Sequence, residues 1–563
     1  MIFFKKNALP LGIASFAILC GLCLYRYGLL ISGPFIFGDE YTYFSFARDL
    51  YQGHSISLYT QYGPLYPLLI SAAFIFKNVV LTYQVIRDAN ILLCISAVIP
   101  AYLLAKELFQ NLWLRAFLPL CIIFTPFSGF VHLIWSEPLY IPLFYWTCLI
   151  LFKHTKNPNL FNSMLLGILL SSLYYTKPGA GLVTQIVAMF TLAQYAYSNS
   201  TVLNQSKKIK RFVCIALLTC FFLDMPWFLH YHFLGASIIG YPSHTAELAS
   251  QISKHGYYAL ALSIFLSVFY QFSYVFIGSW GLVGIGSILL VAGWNRIKTP
   301  ECHLFFFILS CISGLILLSA LGMSSHSALD YRMPNGRYFS AILPMLITII
   351  LHLILKQNEI KYASVRLLSI VVLITTSISI IAPPLYTLNP VAYTAMPELS
   401  SIIFLKNKGL VLWGAMIVKP SFYLRFTVGL FFGSIALCSL IQRKYVTYLI
   451  AGLILIGTCL NAIAENYYVI KLGDSQSAFN HVYIELLKHD ININNVALDI
   501  TMKSGNAEFM TPFWMGHPSL VYLNVKQIEQ IKYPKSIRYF ISTNQAVKND
   551  YFFRQGDFSI YKL

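Results

Sequence analysis

Two adjacent carboxylates, Asp39 and Glu40, open the stretch GDEYTYFSFARDLYQGHSISLYTQYGPLYPLL, which follows an apolar run long enough to cross a bilayer. A third acid, Glu137, stands in FVHLIWSEPLY between two further apolar runs. Lys177, in YYTKPGA, lies where another pair of runs meets, and Arg332 and Arg337, in DYRMPNGRYFSAILP, precede a late one. Carboxylates at such mouths can take a proton from a hydroxyl as general base. Asp39 and Glu137 could instead hold a divalent cation against a phosphate. The planar fork of arginine bonds phosphate oxygens in pairs.

Each of these residues also has a plain structural use. Asp39 falls where the cap of a helix over 41–52 would sit, with Glu40 in its first turn, and Ser136 could cap a helix that begins at Glu137. Lys177, Arg332 and Arg337 could reach for lipid headgroups. His230, His232, His244 and His255 share one loop, but their spacing fits no metal motif.

The elements that position these groups are membrane spans. Of 563 residues 57% are hydrophobic and 11% charged, against about 25% charged in soluble domains. The net charge of +18 comes from clusters in short loops, among them Lys153/Lys156, Lys207/Lys208/Lys210/Arg211, Arg296/Lys298 and Arg443/Lys444. That is the positive-inside pattern, and it reports topology rather than a nucleic-acid partner. The cysteines lie mostly within apolar runs and form no disulfide framework.

At about 20 apolar residues per span, helices are expected near 11–32, 88–106, 116–132, 139–153, 161–176, 179–197, 212–231, 276–294, 303–322, 338–355, 366–383, 424–441 and 446–464. The fold class is therefore a polytopic α-helical membrane protein of about thirteen spans, residues 1–464, followed by a small extracytoplasmic α/β domain, 465–563. With the N-terminus inside, the acids, the first outer loop 33–87 and the C-terminus fall outside. Residues 384–424, with Lys406, Lys408 and Lys419, fit that topology least, and an extra pair of crossings there would relieve it.

Within the first outer loop, Tyr43, Phe46, Ala47 and Leu50 recur at helical spacing and predict an amphipathic helix with its aromatics in lipid. Residues 65–76 are too short for a span and read as a half-buried or interfacial segment. The apolar stretch from Tyr257 is expected along the membrane surface. In the tail, 477–490 reads as an amphipathic helix and 496–500, 519–525, 537–543 and 558–563 as strands.

In this order and placement the motifs resemble the GT-C class of membrane glycosyltransferases, specifically the protein O-mannosyltransferase and aminoarabinose-transferase group. The resemblance rests on the Asp39–Glu40 pair, PLYPLL at 64–69, Glu137 before a helix, FIGSWGLVG at 276–284 and GRY before a late span, and covers most of residues 1–345. It implies an inverting enzyme that moves a sugar from a polyprenyl-phosphate donor to a glycan, lipid or protein acceptor at the outer face of a bacterial inner membrane. It also implies roles: Asp39 as the acceptor-activating base with Glu40 beside it, Glu137 as second acid, and Lys177 and Arg337, with Arg332 further off, on the donor phosphate. Where the aminoarabinose transferases carry Glu-Lys-Pro-Pro, this chain has Tyr62-Gly63-Pro64-Leu65, which argues against lipid A as acceptor.

A transporter or flippase of lipid-linked sugars is the competing class. Transporters place ionisable groups near the midplane, often in two related halves. Here the acids gather at outer loops, no halves repeat, and Asp224 is the one candidate inside a span.

Overall fold

The computed structural model describes residues 2–31, 33, 38–54, 59, 62–124, 131–198, 203–233, 242–279, 282–283, 299–326, 339–356, 411–412, 416–417, 443–489, 491, 496–499, 521–523, 538–542, 551–555 and 558–562. Its helices are α1 (Ile2–Gly28), α2 (Gly38–Gln52), α3 (Leu65–Ser71, extended by a 3-10 turn Ala72–Ile75), α4 (Val79–Ser96), α5 (Val98–Leu108), α6 (Leu112–Ile123) and α7 (Glu137–Lys156). There follow α8 (Leu160–Thr176), α9 (Pro178–Ser198), α10 (Leu203–Phe233), α11 (Pro242–Gly278), α12 (Pro300–His326), α13 (Leu343–Lys356) and α14 (Arg443–Lys488).

Local chemistry sets the helix ends. Asn78, Asn111 and Asn159 accept the first-turn amides of α4, α6 and α8, as N-cap side chains do. α2 stops at Gly53, whose φ of 71° suits glycine. There the Gly53 N–H bonds to Leu50 O and the His54 N–H to Asp49 O, closing a Schellman motif.

Among the described residues five segments are long and apolar enough to cross a membrane: Ala8–Gly28, Val79–Leu108, Pro178–Ser198, Lys207–Leu229 and Pro300–Leu321. Shorter apolar helices, among them α6, α8 and α13, pack with them. α7 is the hub, packed on α4, α5, α8 and α12 and buried on nearly every side, so its sequence shows no polar stripe. It starts at Glu137 and ends among Lys153, His154 and Lys156. Lys156 pairs with Glu107 at 2.8 Å, and Lys356 with Glu301 at 2.8 Å.

Several expected boundaries move. The span expected from residue 88 starts at Val79, because Tyr83, Arg87 and Asn90 face protein and the helix can carry them. The span expected over 116–132 ends as α6 at Ile123, and residues 131–136 form a non-helical connection into α7. The stretch from Tyr257 is the second half of α11, beyond a non-helical Gly256; it packs on α12 and buries Ser263, Ser267, Gln271 and Tyr274. Residues 366–383, 424–441 and most of 276–294 lie outside the described residues, as does most of 384–424, where Val411–Leu412 pairs with Met416–Ile417 as β1 and β2.

The tail helix expected at 477–490 is the end of α14, which runs unbroken for 46 residues, roughly 70 Å, from its apolar part Thr447–Ile463 to the strands of the tail. Among the described residues five strands follow: β3 (Val496–Asp499), β4 (Val521–Leu523), β5 (Tyr539–Ser542), β6 (Tyr551–Gln555) and β7 (Phe558–Lys562), in the order β4-β3-β5-β7-β6. β3 lies parallel to β4 and β5, while β7 is antiparallel to β5 and β6. One apolar cluster joins Tyr43, Phe44, Tyr66 and Ile134 to Val482, Tyr483, Leu486, Val496, Ile541 and Ile560. The tail strands and the helices α2 and α3 thus share a side of the bundle.

Candidate active site

Asp39 lies within the first turn of α2 rather than capping it. Its Oδ1 accepts from the Tyr62 hydroxyl at 2.8 Å, and the residue is half-buried. Glu40, one position on, is fully buried, and its Oε1 accepts from the Ile134 N–H at 3.2 Å. Successive helix residues point about 100° apart, so adjacent acids serve different surroundings. Glu40, expected beside the base, is turned into the protein.

The aromatic face of α2 was expected in lipid. Instead Tyr43, Phe44, Phe46 and Ala47 are buried in protein, because Tyr59, Tyr62, Tyr66 and Phe74 supply ring partners. The Tyr43 ring meets Tyr62 edge-on at 4.9 Å and Tyr66 at 5.3 Å, while Phe46 stacks on Tyr59 at 4.6 Å. α3 and its 3-10 turn bury Tyr66, Ile70 and Ala73 and expose Leu68, Leu69 and Ile75, the half-buried segment expected over 65–76.

Glu137 and Lys177 meet. Lys177 Nζ donates to Glu137 Oε1 at 2.6 Å, with 12% and 5% of the two side chains exposed. Lys177 caps α8 in a non-helical conformation, in keeping with the bar that the following Pro178 sets on the helical one, and Pro178 opens α9. Ser136 does not cap α7 with its side chain; its hydroxyl accepts from Tyr43 Oη at 2.9 Å.

These contacts close into a ring. Asp39 is tied to Tyr62, Tyr62 packs on Tyr43, Tyr43 bonds Ser136, and Glu137 holds Lys177. From the other side, a Cβ on Gly63 would lie 2.2 Å from Tyr175 O and 2.9 Å from the Thr176 carbonyl carbon. Only glycine lets the Tyr62-Gly63 segment lie against the chain that leads into Lys177. Burial, then the charges of Asp39 and Glu137, hold the Tyr43 phenol well above its usual pKa. Burial also raises Tyr66, with Glu40 and Glu137 adding to it.

Beneath the ring a polar layer pins the 131–136 connection. Tyr83 Oη donates to His132 O at 3.1 Å and Asn90 Nδ2 to Leu133 O at 2.8 Å, while Tyr66 Oη donates to Asn90 Oδ1 at 3.0 Å. Burial and the nearby Arg87 charge lower His132 from 6.5 to about 3, so its imidazole is neutral. Tyr66, Tyr83, Arg87 and Asn90 did not stand out in the sequence, and Tyr43 and Tyr62 did so only as part of a periodic face and a motif. The one signal was Tyr83, Arg87 and Asn90 at helical spacing on the margin of an apolar run.

Arg332 and Arg337 lie outside the described residues, as do the side chains of His230, His232, His244 and His255. Asp224 is only partly buried and accepts from Ser171 Oγ at 2.5 Å and Gln185 Nε2 at 2.8 Å. It ties α8, α9 and α10 together. Among the described residues no group of three or more His, Cys, Asp or Glu side chains gathers as metal ligands would. Chemically, the ring offers a carboxylate oriented by a phenol and, across Tyr43, an ammonium fixed by a second carboxylate.

No family model and no curated protein matches the sequence. The solved structures that match in fold include two of ArnT from Cupriavidus metallidurans, at 12% identity over 98% of each chain. The TM-score is 0.51 with the apo state and 0.48 with the form bound to undecaprenyl phosphate. The chain is an integral membrane protein with the polytopic helical fold of apo ArnT, the GT-C architecture that the order of its motifs resembles.

Proposed function

We propose that the protein is an inverting glycosyltransferase that moves a sugar from a polyprenyl-phosphate donor to an acceptor hydroxyl, with Asp39 as general base. The observation that carries this reading is the division between the two adjacent acids. Glu40 is sealed inside and spent on Ile134 N–H, whereas Asp39 is half-buried at the mouth and oriented by Tyr62. A base needs access to its proton donor and a fixed orientation. The fold shared with apo ArnT is in keeping with it.

In the transfer step the acceptor oxygen attacks the anomeric carbon and gives its proton to Asp39. The bond from that carbon to the phosphate oxygen breaks on the opposite face, and its electron pair leaves as polyprenyl phosphate. Configuration inverts. Lys177, held by Glu137 at 2.6 Å, supplies positive charge toward the departing phosphate. An ammonium paired with a carboxylate carries no net charge, so the phosphate needs a further cation, a role the resemblance gives to Arg337 with Arg332 behind it. Lys177 also provides the charge at Glu137 that a divalent cation would.

Positive loops at Lys153/Lys156 and Lys207–Arg211 support a site on the non-cytoplasmic face of a cytoplasmic membrane, with the tail domain beside it. The test is purified protein with a polyprenyl-phosphate sugar and glycan, lipid and peptide acceptors in turn. Release of polyprenyl phosphate with transfer of sugar is expected. Movement of the intact donor between leaflets without release would establish the transporter instead.

A further inference from the structure

Arg87 is among the most buried side chains of the protein, 1% exposed, and lies two turns inside a helix apolar enough to cross a membrane. Such a charge is costly there and is kept where it does work. Among the described residues no carboxylate lies within ion-pair distance of it. Its Nη1 donates to Gly28 O at 2.5 Å and to Ile31 O at 3.4 Å, and its guanidinium carbon lies 5.9 Å from the centre of the Tyr83 ring. Gly28 is the last residue of α1 and Ile31 lies just beyond it, a helix end where a cation also suits the dipole. Gly28 makes the approach possible, since a Cβ there would stand 3.0 Å from Arg87 Nε.

The same face of α4 holds the other half of the site. Tyr83 and Asn90, four residues before Arg87 and three after it, bond the carbonyls of His132 and Leu133. The next amide, Ile134 N–H, is the one that Glu40 accepts. One side of α4 therefore grips both the end of α1, which leads to Asp39, and the connection that leads to Glu137.

We propose that Arg87 is a positioning residue for sugar transfer, fixing the outer end of α1 against the 131–136 connection so that Asp39 faces the Glu137–Lys177 pair in register. Arg87 touches neither donor nor acceptor in this role. The proposal rests on the reading of Asp39 as base, and its test carries a readout that does not.

Arg87→Met, Arg87→Lys and Gly28→Val are compared with wild type in lipid nanodiscs. Methionine removes the charge, lysine keeps it, and valine at 28 displaces the guanidinium without removing any polar group. Hydrogen–deuterium exchange reads the amides of 131–136, and steady-state kinetics read donor use. The expected result is exchange at least about tenfold faster across 131–136 in Arg87→Met and Gly28→Val. With it, kcat falls about 10²-fold, as a displacement near 1 Å can cost, while the donor KM stays within about threefold, since donor contacts are untouched. Arg87→Lys should recover part of both. Wild-type exchange, or wild-type kcat despite faster exchange, in a folded variant would overturn the proposal. Should Arg87→Met fail to fold, Gly28→Val decides by the same two measurements. If wild type transfers no sugar, the functional reading falls, while the exchange data still decide whether Arg87 clamps the two segments.

Discussion

Glu137 and Lys177, 40 residues apart on different helices, form an ion pair at 2.6 Å with only 5% and 12% of their side chains exposed. Two long-range commitments meet in that contact. α7 begins at Glu137, and Lys177 caps the end of α8. Removing one partner strands the other's charge in a poorly solvated place, typically at a cost of about 3–5 kcal/mol.

The pair therefore predicts a pattern across variants. Glu137→Gln and Lys177→Met should each lower thermal stability markedly, whereas the double variant should recover most of the loss without recovering turnover. Additive losses in a double-mutant cycle would show that the two charges are not coupled.

Gly63 is a second structural commitment. A methyl there meets Tyr175 O at 2.2 Å, which is backbone and cannot rotate away. Gly63→Ala should cost about 1–3 kcal/mol, the range of overpacking, and should depress activity further by moving Tyr62 off Asp39. Gly53→Ala is the comparison: its φ of 71° makes it strained too, but a Cβ there meets nothing within 4 Å. It should cost about 1–2 kcal/mol and leave the turnover of folded protein unchanged. Equal activity in the two variants would detach the Tyr62-Gly63 turn from the site.

Tyr62→Phe keeps the ring against Tyr43 and deletes the hydroxyl that Asp39 accepts. An undirected carboxylate is a poorer base, so kcat should fall about 3- to 30-fold, on the order of one charge-assisted hydrogen bond. The donor KM should stay near wild type. A pure KM effect would place Tyr62 on the substrate instead.

His132 predicts a pH dependence of stability. Its folded pKa is lowered from 6.5 to about 3 by burial and by Arg87, so below about 6.5 the unfolded chain takes up a proton that the folded one refuses. Stability should fall as pH drops through that window, with a slope approaching about 1.4 kcal/mol per unit, and His132 should contribute no slope above it. His132→Gln should flatten the profile. An unchanged acid slope would show that His132 accepts a proton in the folded protein.

Asp39, Glu40, Glu137 and Lys177 were legible because charges at the ends of apolar runs stand out against their surroundings. Their relations were not. The Lys177–Glu137 contact joins distant segments, and the burial of Glu40 depends on Ile134, 94 residues away. Reading α2 as lipid-facing failed because periodicity reports a buried face without naming its partner, here Tyr59, Tyr62, Tyr66 and Phe74 and not lipid. The start of α4 was missed for a similar reason, since Arg87 and Asp88 look like loop residues unless a protein interior awaits them. In the tail, the runs near 496, 521, 539 and 558 announced β3, β4, β5 and β7, whereas β6, with Arg554 and Gln555 in five residues, did not.

The most direct measurement is sugar transfer from a polyprenyl-phosphate donor by Asp39→Asn, with thermal stability and donor KM recorded on the same preparation. Asparagine keeps the size of the side chain and an oxygen that can accept from Tyr62, but it cannot take the acceptor's proton. A general base typically contributes 10²–10⁴-fold, roughly 3–5 kcal/mol of barrier, so the folded variant should lose at least about 10² of turnover while stability and KM stay near wild type. A folded Asp39→Asn protein that keeps more than about a tenth of wild-type turnover, well short of a base's usual contribution, would contradict the assignment of Asp39 as the base.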